Sequence, residues 1–355
     1  MRHDHVSIDN SARLVDQVQR AIANKEPLRI RGGDSKAFLG RAVEAEALDT
    51  RGHRGIVNYD PSELVVTVRA GTPLAELEEI LDEAGQMLPC EPPSHGATAT
   101  VGGTVATGLS GPRRPWAGAV RDFVLGCRIV TGQGKHLRFG GQVMKNVAGY
   151  DVSRLMSGSF GCLGLITEVS LKVLPKPRET KSIMLALEAS EAMRELDSWR
   201  KASLPVAGAC HVDGYLHVRF EGGAGSVGAA VDRIGGEHLH AEFWADLREL
   251  RLPFFDDDRP LWRLSLPNNT PLVDLPGATL LDWGGAQRWL KSDADADSIR
   301  AIASAAGGHA TCFTPGVSAY PFQPLPAPVM RIHQQLKERL DPHGVFNPGR
   351  MYADY

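Results

Sequence analysis

The sequence has few cysteines, and no two of them are spaced to share a metal. Five are present, and none forms a C-x-x-C pair: Cys90, Cys127, Cys162, Cys210 and Cys312. This spacing argues against an iron–sulfur cluster, a structural zinc site and a disulfide framework. Because free cysteines often pack as small apolar side chains, we expect that role for most of them.

Long apolar runs and a strong net charge are also lacking. No apolar stretch approaches the roughly 20 residues that a membrane-spanning helix needs. The start, "MRHDHVSIDNSARLVDQVQRAI", is too polar for a secretory signal peptide. The net charge of −3 gives no reason to expect nucleic acid as a partner. We therefore expect a cytoplasmic protein that binds no nucleic acid.

Apolar periodicity predicts alternating helices and strands in the first half of the chain. Ser11–Asn24 is predicted as a helix, Leu28–Arg31 as a strand before a glycine turn, and Leu64–Ala70 as a β-rich run. Thr72 is a good N-cap and Pro73 suits the first position of the helix that follows.

A hairpin, a short helix and a further strand are predicted next. Val124–Val130 and His136–Phe139 flank the turn "TGQGK", and Asp151 caps a short helix. The last strand, Leu165–Val173, is stopped by prolines, which place a domain boundary after residue 177.

The rest of the chain has a different character. Residues 178–327 show shorter strands and frequent turns, which predict a small second domain. Residues 328–355 are predicted as a helix running to Leu340 and an extended tail.

The segment "RIRGGDSKAFLG" breaks a predicted strand with two glycines. It has neither the G-x-G-x-x-G spacing of a Rossmann unit nor the spacing of a P-loop. Backbone N–H groups around such a bend can form an anion-binding nest, to which Ser35 would add a hydroxyl and Lys36 a charge. A purely structural turn is the alternative.

Two further segments are poor in large side chains. "TVGGTVATGLSG", residues 100–111, combines glycines with small hydroxyls, and we expect it to form a long loop on which a flat cofactor could lie. "GSFGCLGLIT", Gly158–Thr167, leads into a strand. For the first of these segments, packing of a bare loop under a neighbouring element is the alternative.

The order of these segments resembles the FAD-binding domain of the vanillyl-alcohol-oxidase type, also called the PCMH type. The agreement covers roughly residues 28–177, and "DPHGVFNPGR" near the C-terminus is also typical of the family. "KNVAGYDVSRLMSGSFGCLG" and "SGPRRPW" look most like the FAD-binding subunits of bacterial glycolate oxidase. The resemblance implies an α+β protein. Its FAD domain would have two α/β subdomains, with a small α+β cap domain and a C-terminal helix and tail returning to the FAD domain.

The resemblance also implies which residues contact FAD. The first turn would hold the diphosphate, the second segment the ribityl chain and ring, and Ile166 the adenine end, with Asn347 near the ring. The implied contacts are Arg31, Gly32, Gly33, Asp34, Ser35, Lys36, Pro93, Ser94, Thr100, Val101, Gly102, Gly103, Thr104, Thr107, Gly108, Gly118, Arg121, Asp122, Gly161, Gly164, Leu165, Ile166 and Asn347. We expect the Asp34 carboxylate to cap the backbone of its own loop.

The mode of attachment and the metal content follow from what these segments contain. Some family members attach flavin through a histidine beside the first turn. Here the turn has none and His95 is a weak rival, so the expectation is noncovalent FAD. Where relatives carry H-x-G-D-G-N-x-H, this chain has "CHVDGYLHVRF". Asp213-Gly214 favours a two-residue hairpin over a Cys210/His217 metal site, and no metal is expected.

The functional interpretation rests on the resemblance, and no catalytic residue is identified. It implies an FAD-binding subunit of a complex that oxidises glycolate, a small 2-hydroxy acid, to glyoxylate. The implied partners are a larger FAD subunit and an iron–sulfur subunit, through which the chain could sit peripherally at the inner membrane. A self-sufficient oxidase or dehydrogenase of another small alcohol or lactone is the alternative, and a flavin-free scaffold is a third. Arg113 and Arg114 could hold a carboxylate or a partner's acidic surface, or lie in a solvated loop.

Overall fold

The structure is a computed structural model that describes residues 7–141 and 150–355. Contacts divide the chain into two units. The first comprises residues up to 109, 119–175 and 324–355, and the second comprises residues 110–118 and 176–323. The domain boundaries at 177 and 327 stay a prediction. Residues 145–149 of the segment "KNVAGY" lie outside the described residues.

The described residues form strands and α-helices, which are numbered in chain order. The strands are β1 Leu28–Arg31, β2 Glu46–Asp49, β3 Ile56–Asp60, β4 Val65–Arg69, β5 Gln86–Met87, β6 Val124–Val130, β7 His136–Gly140, β8 Leu165–Lys172, β9 Leu174–Pro175, β10 Glu179–Ala186, β11 Val206–Val212, β12 Tyr215–Gly222, β13 Glu237–His238, β14 Leu261–Ser265, β15 Ala278–Asp282, β16 Gln287–Lys291 and β17 His309–Cys312. The helices are α1 Ser11–Asn24, α2 Leu74–Glu83, α3 Val101–Thr107, α4 Arg114–Ala117, α5 Val120–Phe123, α6 Val152–Met156, α7 Ala189–Lys201, α8 Ala224–Ile234, α9 Glu242–Arg248, α10 Ala296–Ala305 and α11 Ala327–Leu340.

The first unit contains a five-stranded antiparallel sheet in the order β3-β4-β8-β6-β7 and a parallel pair, β1-β2. Helix α1 packs on the pair through Leu14, Val18 and Ala21, which recur on one face at helical spacing and are buried with Leu28 and Phe346. The core of this unit therefore joins the N-terminal helix, the first strand and the C-terminal tail.

The second unit is built on an eight-stranded sheet in the order β13-β10-β12-β11-β15-β16-β14-β17. On one face, Trp262, Leu264 and Ile299 belong to an apolar cluster with helix α10. Side chains alternate between the faces of a strand, so the residue between the first two, Arg263, lies on the opposite face.

Most predicted elements are confirmed, and two differ. The glycine-rich stretch expected as a loop contains the helix α3, whose N-cap Thr100 accepts a hydrogen bond from the Gly103 N–H. Thr72 does not cap helix α2, because its Oγ1 accepts from the Gly55 N–H at 2.8 Å instead, and Pro73 takes the N-cap position. In the described part of the chain, no helix is long and apolar enough to span a membrane.

Candidate cofactor cleft

One cleft in the first unit gathers residues from five separate parts of the chain. Its empty volume, including the opening to solvent, is about 910 Å³. It is lined by Arg29, Ile30, Gly32, Gly33, Asp34, Ser35, Lys36, Ala37, Val43, Thr50, Ala70, Thr100, Gly102, Gly103, Ala106, Thr107, Phe160, Gly161, Gly164, Ile166, Asn347 and Arg350. The three glycine-rich segments therefore meet at one site.

The first glycine turn lies flat against the segment that precedes α3. A Cβ on Gly33 would stand 1.5 Å from the Thr98 carbonyl oxygen, and one on Gly32 would stand 2.5 Å from Thr100 Oγ1. The Thr98 hydroxyl also donates to the Gly33 carbonyl at 2.6 Å. These glycines are needed because two backbone segments approach closely, and the approach leaves the other side of the turn facing the cleft.

The N–H groups of this turn are available to a ligand. Within the described residues, the N–H groups of Gly32, Gly33 and Ser35 donate to no protein acceptor. Asp34 between them has a φ of 56°, in the left-handed region. Successive N–H groups around such a left-handed residue form a concave nest that suits an anion.

The Asp34 carboxylate does not cap its own loop, so that expectation is wrong. Its Oδ2 lies 3.3 Å from Arg29 Nη1 and 3.1 Å from Arg31 Nε. Two guanidinium groups offer more favourable charge-assisted contacts than a backbone N–H. The pairing neutralises the one carboxylate beside the turn and leaves the backbone N–H groups unoccupied.

Lys36 brings a positive charge to the cleft. Its side chain is only 7% exposed, and its Nζ donates to the Ser94 carbonyl at 3.1 Å. Ser94 therefore holds the lysine side chain. The basic lining residues are Arg29, Lys36 and Arg350, against one acid, Asp34.

Helix α3 supplies a second wall of bare backbone. A Cβ on Gly102 would stand 2.6 Å from the Ala70 Cβ, so the helix packs tightly on the end of β4. The Thr107 hydroxyl donates to the Gly103 carbonyl at 2.9 Å within the helix. The Thr104 hydroxyl is buried and has no acceptor or donor among the described residues.

Asn347, from the C-terminal tail, forms hydrogen bonds to two other segments of the cleft wall. Its Oδ1 accepts from the Ile30 N–H at 2.8 Å, and its Nδ2 donates to the Phe160 carbonyl at 2.7 Å. A Cβ on Gly161 would stand 2.7 Å from the same Nδ2, and Gly161 has a φ of 70°. Only glycine fits this conformation and distance without strain.

The tail that carries Asn347 is fixed by a buried ion pair. Lys337 Nζ donates to Asp341 Oδ2 at 2.8 Å and to the carbonyls of Cys162 and Phe346 at 2.7 Å each. Asp341 in turn accepts from the N–H groups of Val345 and Phe346. The ion pair thus satisfies both charges by hydrogen bonds and holds the tail against the third glycine segment.

More than half of the FAD contacts implied by the sequence line the cleft. These are Gly32, Gly33, Asp34, Ser35, Lys36, Thr100, Gly102, Gly103, Thr107, Gly161, Gly164, Ile166 and Asn347. The others are absent from the described lining: Arg31, Pro93, Ser94, Val101, Thr104, Gly108, Leu165, Arg121, Asp122 and Gly118, of which Gly118 belongs to the second unit. Arg121 and Asp122 are exposed, and the Asp122 carboxylate accepts from the Ala119 N–H at 2.9 Å.

Several lining residues gave no signal in the sequence. They include Arg29 on a strand and Arg350 in the tail, whose guanidinium donates to the carbonyls of Arg41 and Ala37. Burial lowers the pKa of Arg350. A basic side chain two residues after the motif "FNP" could have drawn attention to it.

The residues present fit a dinucleotide cofactor. The cleft has the size typical of small-molecule sites, its walls are largely backbone and apolar groups, and free N–H groups and basic side chains gather near the first turn. A diphosphate carries two negative charges that such a turn can hold. His95 is not among the described lining residues, and its ring lies edge-on to Phe38 at 5.6 Å.

The degraded metal motif of the second unit forms a β-hairpin, as its sequence favoured. Cys210 and His217 are cross-strand neighbours on β11 and β12, which are joined by Asp213-Gly214 with φ of 53° and 79°. The His217 ring stacks on Phe243 at 4.1 Å, and burial lowers its pKa to about 4. Among the described residues, no group of three or more His, Cys, Asp or Glu could hold a metal ion.

The arginines of "SGPRRPW" are engaged within the second unit. Arg113 forms an ion pair with Glu221, which also pairs with Arg219 at 3.1 Å. Arg114 lies over the Trp283 ring, 4.4 Å from its centroid. Arg113 is therefore part of a buried ionic network rather than a solvated loop.

Comparison with known proteins agrees with the cleft and the fold. A family profile described as "FAD binding domain" matches residues 6–140. Solved structures of alkyldihydroxyacetonephosphate synthase superpose with a TM-score of 0.67 at 18% identity, over 97% of this chain and 75% of that one. This likeness shows the fold and confirms the predicted α+β class.

The names of similar proteins indicate which kind of FAD-binding protein this chain is. The chain is 60% identical to the glycolate oxidase protein GlcE of Escherichia coli K12 over 346 residues, which cover 98% of each chain. It is 38% identical to the glycolate oxidase protein GlcD of Bacillus subtilis over 37% of this chain and 28% of that one. A D-lactate dehydrogenase of Anaerostipes hadrus is 37% identical over a similar share.

The fold and the cleft define an FAD-binding oxidoreductase of the PCMH type. Within that class, the chain belongs to the GlcE family of glycolate oxidase subunits, as its identity over nearly the whole length establishes.

Proposed function

We propose that the chain binds FAD noncovalently in the cleft and serves as the FAD-binding subunit of a complex that oxidises glycolate to glyoxylate. The observation that carries the proposal is the turn at residues 32–36. Its unoccupied N–H groups face a cleft that also receives Lys36. Bound FAD would supply an acceptor for two electrons that can be passed on one at a time.

Different residues of the cleft would bind different parts of FAD. The N–H groups of Gly32, Gly33 and Ser35 would hold the diphosphate, and Lys36 would balance its charge. The backbone of α3 would support the flat part of the cofactor, since Gly102 and Gly103 line the cleft without bringing a side chain into it. Noncovalent attachment is supported by the lack of a histidine in the described lining.

The assignment to a complex rests on the relatives. The protein GlcE matches the chain over nearly its whole length, and its name makes it a part of glycolate oxidase. We place the oxidation of glycolate mainly on a larger FAD subunit, with an iron–sulfur subunit as the next electron carrier and this chain supporting electron transfer or assembly. The complex would lie in the cytoplasm or peripherally at the inner membrane. The rate at which the chain oxidises glycolate without its partners tests this assignment.

A binding experiment tests the cofactor and its placement. The purified full chain, freed of flavin, is titrated with FAD and with riboflavin, which lacks the phosphates. We expect tight binding of FAD only, and flavin that is released on acid precipitation. Lys36→Gln should weaken FAD binding about tenfold or more, because a buried charged contact is lost. The control Lys201→Gln, on the exposed helix α7, should leave it unchanged.

Two results would contradict the proposal. Equal affinity for FAD and riboflavin would show that the turn does not bind the diphosphate. A chain that takes up no flavin would show that FAD is not its cofactor. Assembly is tested separately. The chain alone should oxidise glycolate far more slowly than the reconstituted three-subunit complex, and oxidation by the lone chain at the full rate would overturn the subunit role.

A further inference from the structure

Arg263 lies in the middle of strand β14 in the second unit. Its cross-strand neighbours are Trp289 on β16 and Thr311 on β17. It occupies the sheet face opposite the apolar cluster of Trp262 and Leu264. A long cationic side chain therefore stands on the face of the sheet that does not pack against helix α10.

One aromatic ring contacts this arginine, and further rings pack behind that ring. Its guanidinium carbon lies 5.1 Å from the centroid of the Phe313 ring. The Phe313 ring meets Trp289 edge-on at 4.9 Å, and Trp289 meets Phe255 at 5.7 Å. Burial lowers the pKa of Arg263 to about 10, so the side chain is still charged at neutral pH.

Within the described residues, Arg263 forms no ion pair or hydrogen bond. Its Nε is buried without a partner, and the residue as a whole is half-buried. Arg114, a neighbour of the same sign, lowers the pKa further. A half-buried charge without a protein partner is partly desolvated, and contact with one aromatic face offsets only part of that cost.

Other buried arginines of the same unit do have partners. Arg288 donates to the carbonyls of Gly285, Thr270 and Pro271, at 3.2, 3.0 and 2.7 Å. Arg219 pairs with Glu221, and Arg300 donates to Ser318 and the Tyr320 carbonyl. Arg263 is half-buried and has no such partner within the described residues, so its guanidinium is available to a ligand.

We propose that Arg263 binds the carboxylate of a small monocarboxylic acid, of the 2-hydroxy or 2-oxo class, against the rings of Phe313 and Trp289. A guanidinium presents paired N–H donors that match the two oxygens of a carboxylate. The aromatic surroundings strengthen that contact by excluding water. The ligand class rests on the proposed function, whereas the anion site itself does not.

Calorimetry on the full chain tests the site, with glycolate, glyoxylate and the neutral glycolamide as probes. Glycolate and glyoxylate should bind saturably and glycolamide should not. Arg263→Met should weaken glycolate binding about tenfold or more, because charged hydrogen bonds are lost. Arg263→Lys should weaken glycolate binding less, since the positive charge stays but the paired N–H donors of the guanidinium are lost. The control Arg251→Met removes an exposed arginine of the same unit and should change nothing.

Three results would overturn the site: no saturable glycolate binding by the wild-type chain, equal binding of glycolamide, or unchanged affinity in Arg263→Met. If Arg263→Met does not fold, glycolate affinity is measured on Arg263→Lys instead. Unchanged affinity in that variant overturns the proposal. Flavin content, measured on the same samples, separates this proposal from the proposed function. A chain that holds FAD but no glycolate refutes only the carboxylate site, and a chain that binds glycolate but no FAD refutes only the cofactor assignment.

Discussion

Asn347 donates a hydrogen bond from Nδ2 to the carbonyl of Phe160, 187 residues earlier in the chain, at 2.7 Å. The same side chain accepts from the Ile30 N–H, so one amide joins the first strand, the third glycine segment and the tail. Asn347 has a φ of 41°, a conformation that asparagine tolerates better than most residues. A single buried side chain therefore joins three separate segments of the cleft wall.

Asn347→Ala should destabilise the fold and weaken cofactor binding together. Two buried hydrogen bonds are lost and their partners left unsatisfied, so the free energy of unfolding should fall by about 2–4 kcal/mol. Urea unfolding followed by circular dichroism measures the loss, and flavin titration measures the binding. Asn268→Ala, in an exposed loop, is the control. A stable variant with normal flavin affinity would contradict the role of Asn347 as a clamp.

Gly33→Ala should abolish cofactor binding while leaving the second unit intact. The new Cβ would overlap the Thr98 carbonyl, 1.5 Å away, so the turn must move off the segment before α3. Overpacking of this kind typically costs about 1–3 kcal/mol, and the displaced N–H groups can no longer converge.

Flavin content after purification is the measurement for Gly33→Ala. Gly225→Ala, on the exposed side of helix α8 where a Cβ meets nothing within 4 Å, should retain full flavin. Full flavin in Gly33→Ala as well would show that the turn does not touch the cofactor.

Lys337→Met should unfold the tail. The substitution leaves the buried Asp341 carboxylate without its counter-ion, which typically costs about 3–5 kcal/mol. Because the tail carries Asn347, flavin affinity should fall with stability. Unfolding in urea, compared with the surface variant Lys201→Met, gives the difference. A loss below about 1 kcal/mol would mean that Asp341 finds other partners.

Mild acid should destabilise the second unit through His217. Burial lowers its pKa to about 4 in the folded chain, against about 6.5 when unfolded. Above about pH 6.5 the ring is neutral in both states and costs nothing. Below that pH the unfolded chain takes up the proton first, so stability falls as pH decreases from about 6.5 towards 4. The loss approaches roughly 3 kcal/mol at the lower end. His217→Gln should show a smaller drop in stability between pH 7 and pH 5, measured by urea unfolding, and an identical slope would assign the effect to other groups.

The sequence predicted the cleft better than it predicted the helix beside it. The three glycine-rich segments were recognisable because closely approaching backbones exclude side chains. Helix α3 was missed because Gly102, Gly103 and Thr104 are poor helix formers. It forms through a tertiary contact, the packing of Gly102 on Ala70, and through the Thr100 cap.

Side-chain pairing was the part that the sequence could not supply. Asp34 was expected to bind its own loop, yet it binds Arg29 and Arg31 because the strand places both guanidinium groups beside it. Arg350 reaches the cleft from the tail, more than 300 residues from the turn. The Arg350 contacts depend on how distant elements are brought together. The Asp34 ion pairs span only three and five residues and depend on the left-handed backbone of the turn.

The first unit is discontinuous, because residues 176–323 form the second unit between its parts. Its cleft needs both the glycine turn near residue 33 and the tail near residue 347, which are separated by the whole inserted unit. Ordering contacts of such long sequence separation is slow relative to forming local helices and hairpins. Cofactor capture during refolding should therefore trail the recovery of secondary structure, and the colour of the flavin would report the final step of assembly.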